Sequence, residues 1–265
     1  MTGRVRTWRL IVAYDGAEFA GWQRQDAQRT VQGDLEQVLG AIEGAPVHVA
    51  GAGRTDAGVH AVAQIASVQL SVAIAPDRLV RACNATLARD VRVVAVEPVA
   101  DGFHARAHAR GKTYRYYIWN APTGQPMLRS TAWHVPQLLA LDVMAAVAGT
   151  FVGEHDFRAF QAQGSDVVTT VRRIWTSTVA PEAALPGWCA PPHGRAQLLC
   201  FEIAGDGFLR HMVRAMAGTL VWAGRGRYTP AQVTRALQGA PRDATGPTAP
   251  PHGLHLWRVH YEAGS

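Results

Sequence analysis

The first apolar run, WRLIVAYD at 8–15, is rich in strand formers. Beyond it Val31, Leu35, Val38, Leu39 and Ile42 fall at helical spacing behind Thr30, a cap candidate for a helix over 30–43. VHVAG at 47–51 and AQIASVQL at 63–70 read as two strands, a helix is expected from Pro76 to about Leu87, and VRVVAVEPV at 91–99 reads as a strand. The first half thus spells β-α-β-β-α-β, the ferredoxin-like order. KTYRYYIWN at 112–120 opens the second half as a strand. It is followed by a helix near 141–150, strands at about 170–179 and 197–204, helices at about 211–223 and 230–238, and a last strand, LWRVHY, at 256–261.

That order repeats the first with one extra helix, so the expected fold class is α+β, with two ferredoxin-like (RRM-like) halves. An N-terminal domain is placed over 1–107 and a C-terminal domain over 108–265, the seam falling near 100–110. The Pro-rich stretch PEAALPGWCAPPHG at 181–194 lies between two strands and reads as a surface loop rather than a linker.

A chain of 265 residues that is 48% hydrophobic and 17% charged is long and apolar enough to bury a core, which excludes disorder as its main theme. The balance of 26 basic to 20 acidic residues gives +6, and Lys112 is the only lysine. Arginine presents a planar fork suited to phosphate and to stacking on bases, so the excess fits a nucleic-acid partner; a codon bias toward Arg produces the same count. Cys83, Cys189 and Cys200 are odd in number and lack CxxC spacing, which argues against a disulfide framework or a four-ligand zinc site. With no apolar leader segment and no 18-residue apolar run, a soluble cytoplasmic protein without membrane association is expected.

The richest chemistry lies in Gly51-Ala52-Gly53-Arg54-Thr55-Asp56-Ala57-Gly58-Val59-His60-Ala61. A dinucleotide fingerprint would need Gly where Asp56 stands, and a carboxylate does not help to cradle phosphate, so a nucleotide-dependent oxidoreductase is disfavoured. Asp56 two residues from Arg54 reads either as a carboxylate kept ionised by a cation, able to act as nucleophile or base, or as a turn cap beside glycines. Spacing leaves both open.

Gly111-Lys112-Thr113 fails as a phosphate loop because Arg106 stands five positions before Gly111. His104 and His108 lack the Glu of a zinc helix, and no GxSxG elbow is present. Tyr114-Arg115-Tyr116-Tyr117 alternates aromatics with charge, as a stacking platform or as core. Arg210 and Arg214 share a helix face, for pairing with phosphate or carboxylate or simply solvated.

Six blocks in order resemble the tRNA pseudouridine synthase A family across nearly the whole chain: FAGWQRQ at 19–25, GRTDAGVHA at 53–61, KTYRYYIWN at 112–120, HDFRAF at 155–160, GFLRHMVRAMAG at 207–218 and PTAPPHGLHLWRVHY at 247–261. The resemblance implies isomerisation of uridine to pseudouridine at positions 38, 39 and 40 of the tRNA anticodon stem-loop, without cofactor or metal. It implies a homodimer, and two ferredoxin-like halves whose antiparallel sheets join around a central basic cleft, the second completing the site. It makes Asp56 the catalytic aspartate, in preference to the turn cap, acting on C1′, on C6 or on a sugar proton. By the same correspondence Tyr114 packs against the target uracil, Arg214 pairs with the catalytic carboxylate, and Arg54 helps extrude the nucleotide. Arg24, Arg106, Arg110 and Arg115, in or beside the matched blocks, are candidate phosphate contacts. The competing reading is a non-catalytic RNA-binding protein.

Overall fold

The computed structural model describes residues 4–162, 164, 167–182, 196–241 and 244–261. Strand β1 (Arg6–Tyr14) buries Trp8, Leu10, Val12 and Tyr14 on one side of the pleat. Helix α1 (Val31–Glu43) follows: Thr30 caps it by accepting the Gly33 N–H at 3.2 Å, and Gly44 closes it in the left-handed region. Its buried stripe is Val31, Leu35, Val38 and Leu39, each fully buried aliphatic side chain contributing about 1.5–3 kcal/mol.

Strand β2 is only Ala50–Gly51, shorter than the five residues expected. The cause is local: the Val49 N–H donates to Glu36 and the Val49 carbonyl accepts from Gln32, so side chains of α1 take the place of a ladder. Strand β3 (His60–Leu70) starts three residues earlier than expected, drawing His60 and Ala61 of the glycine-rich motif into the sheet. Helix α2 (Pro76–Thr86), entered through Pro76, and strand β4 (Val91–Val99) complete the β-α-β-β-α-β order. Strand β1 lies between β3 and β4, antiparallel to both, and β2 pairs with β3. On the opposite side of β1, Ile11 packs with Ile65, Phe103, Ala105 and Tyr261.

Strand β5 (Gly111–Asn120) opens the second region. It is paired in parallel by β6 (Trp133–Val135) and antiparallel by β9 (Gln197–Gly205), which pairs with β8 (Val171–Pro181), which in turn pairs with β7 (Gly153–Asp156). β6 and β7 were not expected; at three and four residues, WHV and GEHD are too short to show a period. Helices α3 (Leu141–Thr150), α4 (Met212–Gly224) and α5 (Pro230–Ala236) match the expected positions to within two residues. Apolar on almost every side, α4 is a core helix. Phe160 meets Phe151 and Phe157 edge to face, and Phe201 lies tilted against Phe151.

The chain divides into one unit of Met1–Arg110 with Leu256–Ser265 and a second of Gly111–His255. The first break falls three residues after the expected seam at 107/108. The last strand, β10 (Leu254–His260), runs out of the second unit into the first, where the Arg110 N–H donates to the His260 carbonyl and the Tyr261 hydroxyl to Ala105. A sequence-based split assigns 256–261 by chain order, whereas the hydrogen bonds assign it by partner. The Pro-rich stretch lies, from residue 183 to 194, outside the described residues. Among the described residues no helix is long and apolar enough to cross a membrane.

Candidate active site

Asp56 sits half-buried in the turn between β2 and β3. Its own carbonyl accepts the Val59 N–H at 3.1 Å, and Gly58, at φ 76°, makes the left-handed step that the turn needs. One residue before it, the Thr55 carbonyl accepts the Trp22 N–H at 3.1 Å, while the Thr55 hydroxyl meets the Tyr14 hydroxyl at 2.8 Å. Gly21, at φ 101°, allows that approach: a Cβ there would lie 2.6 Å from the Thr55 carbonyl oxygen. On the far side the Gly58 N–H reaches the Phe19 carbonyl, and the buried His60 accepts the Gly16 N–H on Nδ1 at 3.0 Å. The FAGWQRQ block is therefore the bed on which the aspartate turn lies, which gives physical meaning to its presence in the same sequence.

That bed is itself anchored. The Arg29 guanidinium bonds Asp34 and Asp90 and lies over the Phe19 ring at 4.2 Å, while its carbonyl accepts the Ala20 N–H. The hydrogen bond from Arg29, ahead of the opposing effect of burial, holds the Asp90 carboxyl below its ordinary value. Gln23 and Gln32 carry a polar chain outward from Glu36: Gln32 donates to Glu36 at 3.0 Å, Gln23 to Gln32 at 2.7 Å, and the exposed Arg54 to Gln23 through Nε at 3.1 Å. Arg24, on the surface, pairs with Glu36 at 3.3 Å.

In the second unit Tyr114 is buried on β5 opposite Ile203, its ring edge-on to Phe208 at 5.1 Å. Strand alternation sends Arg115 to the other face. There it pairs with its cross-strand neighbour Glu202, Nε to Oε2 2.6 Å, and with Glu182 at 3.9 Å. Burial opposes that charge, but hydrogen bonds to Tyr117 and Glu202 outweigh it and raise the guanidinium above its ordinary value.

Arg214 is half-buried on α4. Its Nε donates to the Ala249 carbonyl at 2.9 Å and its own carbonyl takes the Ala249 N–H, while the Tyr116 hydroxyl holds the next carbonyl, Pro250, at 2.8 Å. Helix α4 thus starts beside a pinned 249–250 segment, and its entry residue His211 is held at φ 62°.

Arg106 and Arg110 are exposed, and what positions them is backbone: the Arg106 N–H donates to His104 Nδ1, the Arg110 N–H to His260. His104 and His108 are exposed too, each accepting an amide of its own loop on Nδ1. The structure brings Arg54, in the same turn as Asp56, and Arg24 into one hydrogen-bonded region through Gln23 and Gln32. Residues not anticipated from sequence are Tyr14, Gln23, Gln32 and Gln64, whose Nε2 bonds the Gly53 carbonyl at 2.9 Å, and, in the second unit, Tyr116. The only sequence signal for Gln23 was its place inside FAGWQRQ; Tyr14 and Gln64 looked like ordinary strand residues.

Comparison with known proteins decides what this arrangement belongs to. A family described as tRNA pseudouridine synthase matches residues 10–106 and 147–262. The chain belongs to that family. It is 43% identical over 264 residues to the tRNA pseudouridine synthase A of Solidesulfovibrio magneticus, covering 96% of this chain and 91% of that one. The protein of the same name from Nitratidesulfovibrio vulgaris is 42% identical, with 95% and 98% covered, and that from Pelobacter propionicus 40% identical, with 97% and 100% covered. Membership makes the enzyme an isomerase that turns uridine into pseudouridine in tRNA.

Proposed function

We propose that the enzyme isomerises uridines 38, 39 and 40 of the tRNA anticodon stem-loop, as a homodimer and without cofactor, with Asp56 as the catalytic carboxylate. The observation that carries this reading is the Asp56 turn: a half-buried residue whose neighbours Thr55 and Gly58 are tied by hydrogen bonds to the 14–22 segment, so that the turn is held in place on both sides of it. Pre-organisation of that kind is what a reaction on an enclosed nucleoside requires.

The chemistry is redox-neutral. The N1–C1′ bond breaks, the uracil turns while still held, C5 bonds to C1′, and the proton that leaves C5 is balanced by one gained at N1. Attack on C1′, attack on C6 and removal of a sugar proton all begin at the Asp56 carboxylate. The target nucleotide must first leave its stack, at a few kcal/mol. The motifs give Arg54 the role of aiding that extrusion, Tyr114 that of packing on the uracil, and Arg214 that of pairing with the catalytic carboxylate. The exposed Arg24, Arg106 and Arg110 are proposed phosphate contacts; Arg115, engaged by Glu202 and Glu182, is the least available of the four. Each unit is read as a β-α-β-β-α-β half, the first supported by the order of β1 to β4. The test is to incubate the enzyme with unmodified tRNA transcripts and map pseudouridine by position. Product at 38–40 is expected, and product only elsewhere overturns the regional assignment.

A further inference from the structure

We propose that Tyr14 is a positioning residue for the Asp56 carboxylate, acting through the hydroxyl of Thr55. The proposal rests on the reading of Asp56 as the catalytic group. Tyr14 ends β1, only 5% exposed, its ring edge-on to Phe19 at 6.4 Å and tilted against Trp22 at 6.2 Å. Its hydroxyl lies 2.8 Å from Thr55 Oγ1 and also hydrogen-bonds the Gln64 side chain. Burial pushes the phenol up to about 12, so across the working pH range it exchanges hydrogen bonds and never charge.

The position does not need this hydroxyl for packing, because Phe would fill the same space between Phe19 and Trp22. Burying a phenol costs free energy unless it is bonded, and here the bond falls on the residue next to Asp56. Other ties around the turn hold backbone atoms: the Thr55 carbonyl accepts from Trp22, the Gly53 carbonyl from the Gln64 side chain, and the Asp56 carbonyl from Val59. These fix the chain's path. The Tyr14–Thr55 bond joins two buried side chains, one of them on the residue next to Asp56, and it sets how the segment carrying Asp56 is rotated about that path. A displacement of about 1 Å in a reacting group costs up to about a hundredfold in rate, so loss of one tie among several should cost about tenfold.

The test uses the full chain and an unmodified tRNA transcript. Tyr14→Phe is expected to lower kcat about tenfold while KM stays within about twofold and Tm within about 4 °C, because binding and packing are untouched. Thr55→Val, which removes the other hydroxyl, should give a similar loss, and the double variant should be no worse than the more impaired single one, as for two halves of one interaction. Wild-type kcat in Tyr14→Phe, losses that multiply in the double variant, or a rate deficit that disappears when assays are run well below a lowered Tm would each overturn the proposal. Asp56→Asn separates the two levels. If it retains activity, the catalytic reading falls and this proposal with it; if it is inactive while Tyr14→Phe is fully active, the positioning role alone falls.

Discussion

The Asp56 turn and strand β5 each set an arginine beside a residue proposed to act in the reaction, Arg54 two before Asp56 and Arg115 directly after Tyr114, yet the protein uses the two cations differently. Arg54 is exposed and steadied by a neutral amide, the side-chain carbonyl of Gln23, which fixes its direction without cancelling its charge. Arg115 is three-quarters buried and placed across the strand from Glu202, with Glu182 nearby, so its charge is consumed within the sheet. Identical residue types in neighbouring motifs therefore do not predict identical roles; the partner that holds the guanidinium does. The amide-held arginine keeps its charge uncancelled at the surface, and the carboxylate-held one ties two strands together.

The contrast is broken most severely by disturbing the bed under the first region. Gly21→Ala must adopt φ 101° and bring a Cβ to 2.6 Å from the Thr55 carbonyl, so a loss of about 1–3 kcal/mol or more in urea unfolding is expected, with activity falling alongside. Unchanged stability would mean that the FAGWQRQ bed is not rigid.

A paired substitution of the arginines sharpens the comparison directly. Arg115→Gln should cost about 1 kcal/mol of stability and leave the affinity for tRNA and its salt dependence alone. Arg54→Gln should leave stability within about 0.5 kcal/mol, weaken tRNA binding, and reduce the slope of log affinity against log salt by about one. Equal effects on binding from both would erase the distinction.

The smallest expected effect concerns pH and the anchor behind the turn. The Asp90 carboxyl is held below its ordinary value by the hydrogen bond from Arg29, so the stability it contributes is present above the unfolded-state pKa, about 3.9, and is lost as pH falls through the lower folded value. Wild type should therefore be more resistant to urea than Asp90→Asn at pH 6, the gap closing on acidification below about pH 4. A gap that persists at low pH would show that the pair acts by packing and not by charge.

Much of this architecture was legible from periodicity. Thr30 with the Val31, Leu35, Val38 and Leu39 stripe located α1, and the Val-rich run 91–99 located β4, because each element carries its own period and cap. What escaped was short or held by distant partners. WHV and GEHD become strands through pairing with β5 and β8, and residues 47–49 leave the sheet because Glu36 and Gln32 satisfy the Val49 backbone. The final strand is claimed by the first unit through bonds to Arg110 and Ala105 that no local pattern encodes.

The site divides in the same way. Asp56 stood out because an acidic residue among glycines and beside an arginine is conspicuous in a sequence. Tyr14, Gln23 and Gln64, which orient its surroundings, come from separate elements and carry no local mark, so only the folded chain brings them under the turn.

The most direct test of the central claim is to assay wild-type enzyme and Asp56→Asn side by side on an unmodified tRNA, mapping pseudouridine by position and measuring RNA affinity in parallel. The account predicts pseudouridine in the anticodon stem-loop with wild type and background levels with Asp56→Asn, at affinities within a few fold of each other. Turnover by Asp56→Asn at the wild-type rate would contradict it.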